Sequence, residues 1–104
     1  MNTNLPIACS LDSPALAQRR SELRSSVLSE AAAVDRLEDG YRWTFQHAAD
    51  VVARIGAVID GERQCCRFLR FSMEADPDLG TVTLTISGPS GTAEFLESWL
   101  PSHQ

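Results

Sequence analysis

The chain has no lysine: all nine basic residues are arginine. That excludes the P-loop lysine of a nucleotide site, and a GC-rich genome accounts for the bias as readily as function does. Basic charge is scarce altogether. Fourteen acidic residues against nine arginines leave a net charge of −5, which argues against a general nucleic-acid binder, a class that is normally basic. No apolar run approaches 18 residues, so no membrane span is expected. The first ten residues lack a basic start and a useful apolar stretch. That reading predicts no signal peptide and a cytoplasmic protein whose thiols are reduced at rest. Three cysteines is an odd number and a poor basis for a secreted disulfide framework.

What is present is ordinary for a globular domain: 104 residues, 43% apolar and 22% charged. Length predicts a single domain over 1–104, with an arm at 1–11 and a tail at 102–104. Ser13-Pro14 reads as an N-cap with proline in the first turn, opening a helix to about Glu30. Leu16, Leu23 and Val27 share a face with Arg20, and Arg19 and Arg24 mark its wetter flanks. Ala32–Glu38 and Tyr41–Phe45 flank Asp39-Gly40, a hairpin signal that predicts a type I′ turn with positive φ at both positions. Tyr41, Trp43 and Phe45 alternate with Arg42 and Thr44, giving an aromatic inner face.

Ala48 to about Cys66 reads as the main helix, with Val52, Ile55, Ile59, Glu62 and Cys66 on one face. His47 and Asp50 are cap chemistry, and Gly56 and Gly61 imply close packing against a sheet. Phe68–Ala75 and Thr81–Ser87 form a second hairpin around the Asp76–Gly80 turn. Ser87-Gly88-Pro89-Ser90-Gly91 then introduces a last helix with Phe95, Leu96, Trp99 and Leu100 inward. The expected class is α+β, in the order helix, hairpin, helix, hairpin, helix. The two hairpins share a four-stranded antiparallel sheet with the helices mainly on one face. The arm is a candidate extra edge strand. Strand order is open.

Cys65 and Cys66 fall where the long helix ends. Adjacent helical residues point about 100° apart, so their sulfurs converge only if the chain turns there. Glu62, three and four residues earlier, neighbours both. A carboxylate on an apolar stripe must be paired, protonated or coordinating, and Arg63, Arg67 and Arg70 are near in sequence.

Three readings stay open. Buried cysteine behaves as a small hydrophobe, with Glu62 in an ion pair. Alternatively Cys9, Cys65 and Cys66 hold a thiophilic metal or metalloid ion, with Glu62 as neighbour or fourth ligand. Three thiolates suit a soft trigonal ion better than zinc, whose familiar sites use four ligands at C-x₂₋₄-C spacing. The third reading is thiol redox catalysis. Against it stand the negative helix end and Glu62, which disfavour thiolates, while Arg63 and Arg67 favour them. A disulfide from Cys9 to either partner is easier than one between adjacent residues.

Of the three, ion binding is the favoured specific function. A thiol-dependent redox enzyme and a self-associating, non-catalytic module with structural cysteines are the alternatives. A homodimer is a candidate assembly, and no nucleic-acid or membrane partner is expected.

The stretch Glu62-Arg63-Gln64-Cys65-Cys66-Arg67-Phe68-Leu69-Arg70-Phe71, followed by Ile86-Ser87-Gly88-Pro89-Ser90-Gly91, resembles a family of small uncharacterised bacterial proteins. Ile7-Ala8-Cys9-Ser10-Leu11 and Asp39-Gly40-Tyr41-Arg42-Trp43 fit the same pattern. The resemblance covers nearly the whole chain and implies a complete small protein. It implies no activity or ligand.

Overall fold

A computed structural model describes residues 13–100. The expected arm strand and Cys9 lie outside them. The fold is α+β. Helix α1 (Pro14–Leu28) is followed by strands β1 (Ala33–Leu37) and β2 (Gly40–Gln46) and helix α2 (Val51–Cys65). Strands β3 (Arg70–Asp76) and β4 (Thr81–Ser87) come next, then the short helix α3 (Thr92–Leu96), extended by a 3₁₀ turn at Glu97–Trp99. All strand pairs are antiparallel, in the order β1-β2-β4-β3. The two hairpins therefore meet through β2 and β4, which become the central strands.

Side-chain alternation splits the sheet into two faces. Trp43, Phe45, Val82, Leu84 and Ile86 are buried on one face, while Thr44, Thr81, Thr83 and Thr85 are half-buried on the other. Pairings such as Trp43 with Leu84 and Phe45 with Val82 place large residues side by side across the central strands. Ile55 and Val58 of α2 and Leu96 and Trp99 beyond β4 complete the same core. Burying such side chains contributes about 1.5–3 kcal/mol each.

Ser13 caps α1 as expected: its side chain accepts a hydrogen bond from the Leu16 N–H at 3.2 Å. The expected buried face of α1 holds at Val27 and fails at its two leucines. Val27 and Leu28 are inside, whereas Leu16 and Leu23 are exposed. The helix packs on α2 rather than flat on the sheet, so only its last turn reaches the core. On α2 the expected stripe holds at Ile55, Glu62 and Cys66, all fully buried, and widens to Val51, Val58 and Cys65, while Val52 is exposed. Asp50 is the N-cap of α2 but makes no side-chain capping bond.

The first hairpin corrects another expectation. Leu37 pairs with Gly40, so the turn is Glu38-Asp39 rather than Asp39-Gly40. Among the described residues positive φ occurs only at Gly80 and Gly91, which excludes a type I′ turn. Gly40 is required for a different reason. A Cβ there would lie 2.0 Å from the Ile86 carbonyl oxygen of β4. The glycine permits close strand approach, not a left-handed turn. Gly61 meets the Arg20 side chain of α1, not the sheet, and a Cβ at Gly56 would meet nothing within 4 Å.

Two substitutions test this account. Gly56→Ala removes a poor helix former without a clash and is expected to stabilise the fold by about 1 kcal/mol. Gly40→Ala forces β2 from β4 and is expected to cost about 1–3 kcal/mol. Urea unfolding midpoints measure both, and the opposite signs distinguish helix propensity from steric exclusion.

Candidate functional site

Glu62 is 0% exposed, in the last turn of α2. Its Oε2 lies 3.1 Å from Arg24 Nη1 and 3.3 Å from Arg20 Nε. Both arginines come from α1, whose packing on α2 brings residues about 40 positions apart into one ion cluster. The expected partners lie elsewhere. Arg63 pairs with Asp60 on the exposed side of α2 at 2.8 Å, and Arg67 and Arg70 are exposed. The helical period puts Arg20 on the apolar stripe of α1 and Arg24 on its wetter flank. The buried carboxylate turns them inward.

Arg24 is held from both sides. Its guanidinium carbon sits 4.4 Å from the centroid of a Trp99 ring, a cation–π geometry. Trp99 meets Phe95 edge-on, and Phe95 meets Phe68 in the same way. Phe68 follows Cys66 by two residues. The contacts therefore run from Glu62 through Arg24, Trp99 and Phe95 to Phe68, and back along the chain to the cysteines.

Cys65 is the last residue of α2 and Cys66 is its C-cap, with φ −100° and ψ 75°. The chain thus leaves the helix between the two cysteines. The Cys66 N–H still donates to the Glu62 carbonyl oxygen at 2.6 Å. Both residues are buried, and Cys66 is disulfide-bonded. Cys66 Sγ lies 3.7 Å from Glu62 Oε1, the oxygen opposite the one held by the arginines. The two carboxylate oxygens thus face different chemistry: guanidinium on one side, sulfur on the other. Among the described residues no group of three or more His, Cys, Asp or Glu side chains is gathered as for a metal ion. Cys9 is outside those residues. Helix position placed Cys65, Cys66 and Glu62 together; the arginine partners were missed because they depend on helix–helix packing.

The His47 N–H donates to the Gly80 carbonyl oxygen. At the end of the Ser87–Gly91 loop the Thr92 N–H and hydroxyl both donate to the Pro89 carbonyl oxygen, which closes the turn before α3. Trp43 and Trp99 are core residues.

No protein family, curated protein or solved structure matches the chain.

Burial pushes the Glu62 carboxyl above its ordinary value of 4.5, and the charges of Arg24 and Arg20 oppose the shift without cancelling it. The folded state therefore holds this proton more tightly than the unfolded state. By linkage the group's stabilisation is complete below the ordinary value and is lost as pH rises through the folded one. The stability of wild type relative to Glu62→Gln is thus expected to fall as pH increases upward from 4.5; a flat difference in paired urea titrations would show no shift. At neutral pH, Glu62→Ala is expected to cost about 3–5 kcal/mol, because it strands two inward arginines. Arg63→Ala, breaking an exposed pair, is expected to stay within about 0.5 kcal/mol.

Proposed function

We propose that this is a thiol-bearing protein that, when reduced, binds a soft metal or metalloid ion through Cys66, Cys65 and Cys9. The disulfide at Cys66 carries this reading. A disulfide requires another sulfur to reach Cys66, so reduction leaves two thiols already close enough to share an ion. Thiolates select soft ions. Three of them suit a trigonal centre such as trivalent arsenic, where three S–H groups replace three hydroxyls and release three waters.

Glu62 is a neighbour of this centre rather than a principal ligand, since Oε2 is committed to arginine and only Oε1 faces sulfur. Arg20 and Arg24 offset the negative charge that gathers as thiols deprotonate on binding. A cytoplasmic location suits the proposal, because that compartment keeps thiols reduced. The net charge of −5 argues against a nucleic-acid partner.

Thiol-dependent redox catalysis is the second reading, favoured by the same disulfide. The two separate in one experiment. Native mass spectrometry of reduced, chelator-free protein is expected to show one arsenite-derived arsenic or one cadmium ion per chain. Binding should vanish in Cys66→Ser and in oxidised protein, and weaken at least tenfold in Cys65→Ser. Peptide mapping of the oxidised form is expected to join Cys66 to Cys9. Failure to bind zinc, copper(I), arsenite and mercury(II) overturns the ion reading. Catalytic transfer of two electrons from a dithiol to an added disulfide, without ion binding, would establish the redox one. The same spectra report any homodimer.

A further inference from the structure

A groove of about 600 Å³ runs between α1 and α2, beside the cysteine corner. Leu16, Arg19, Arg20 and Leu23 form one wall, and Gly61, Gln64 and Cys65 form the other. We propose that this groove binds a small organic carboxylate with an apolar body. The proposal does not depend on the thiol reading.

Four observations converge. Leu16 and Leu23 are 55% and 40% exposed, although large apolar side chains on this helix should favour burial. They stand two turns apart on the groove wall, where an apolar body would cover both. Among the described residues the lining includes two arginines and no carboxylate. Arg19 is exposed and forms no ion pair among the described residues. Arg20 is anchored by Glu62 at its Nε, so its positive charge is fixed at the groove. Gly61 keeps the floor open: a Cβ there would lie 3.5 Å from the Arg20 stem, and any longer side chain would enter the space. The volume falls within the roughly 300–1,000 Å³ typical of small-molecule sites.

Charge also selects the occupant. A second copy of this chain docking through the same surface would set Arg19 and Arg20 against their own counterparts, because a two-fold contact is self-complementary. An apolar cation would meet the same repulsion. An apolar anion places its tail on the leucines and its carboxylate at Arg19, with the Gln64 amide as a second donor.

The test is an amide NMR titration of folded protein with decanoate and decylamine, both below their micelle concentrations. Decanoate is expected to saturate one site per chain and to shift Leu16, Leu23, Gly61 and Gln64. Decylamine, with the same tail and opposite charge, should bind at least tenfold more weakly. Arg19→Glu changes an exposed residue and should weaken decanoate at least tenfold. Gly61→Leu should block the groove. A protein lacking all three cysteines, if its spectrum shows it folded, should still bind decanoate, separating this result from any failure of ion binding. Equal affinity for the two probes, no saturable decanoate binding, or shifts confined to another surface would each overturn the proposal.

Discussion

The structure turns on a carboxylate that water cannot reach. A buried Glu62 without partners would cost several kcal/mol, and α1 supplies those partners. Arg20 and Arg24 bring two positive charges to one oxygen, and the Arg20 stem lies against Gly61 of α2. The helix contributes Val27 and Leu28 to the core, and the ion cluster adds a polar attachment to α2. Such clusters are weak sources of net stability but strongly penalise the wrong alignment. A shift of α1 by one residue would move both arginines away from the carboxylate.

The same cluster organises what surrounds it. Arg24 is clamped between Glu62 and Trp99, so the end of the chain beyond α3 is tied to the first helix. Elsewhere, Arg36 on β1 reaches Glu94 and Glu97, and Arg54 on α2 reaches Glu30 after α1. Those pairs are exposed and contribute little individually. They nevertheless show the same arrangement, in which a guanidinium bridges two elements distant in sequence. Arginine suits this role because its planar fork binds carboxylates from several directions. Glu62 is also in contact with a cysteine sulfur, and that contact sets the cysteine corner apart from the surface pairs.

Much of this was legible in order and period. The Ser13-Pro14 cap, the Tyr41-Trp43-Phe45 alternation, the Thr81–Ser87 strand and the turn at Asp76–Gly80 are local features. Local chemistry decided them. The position of Glu62 beside Cys65 and Cys66 followed from helical spacing. Where the expectations failed, a distant group intervened. Gly40 looked like a turn residue until the Ile86 carbonyl showed what excludes a side chain there. Leu16 and Val52 looked buried because period alone cannot say which edge of a broad stripe meets the neighbour. Arg63 looked like the partner of Glu62 because nearness in sequence stood in for nearness in space.

The sequence by itself determined an α+β chain with two hairpins, an acidic balance without lysine, and an unusual carboxylate next to paired cysteines. These depend on propensity, alternation and residue chemistry, which act over a few positions. Only the tertiary structure decided that β2 and β4 form the centre of the sheet, that α1 rides on α2, and that Arg20 and Arg24 face inward. Each of these is a choice among distant surfaces, and burial of one charge narrows that choice. The carboxylate was visible in the sequence; which guanidinium groups could follow it out of water depended on how the helices packed.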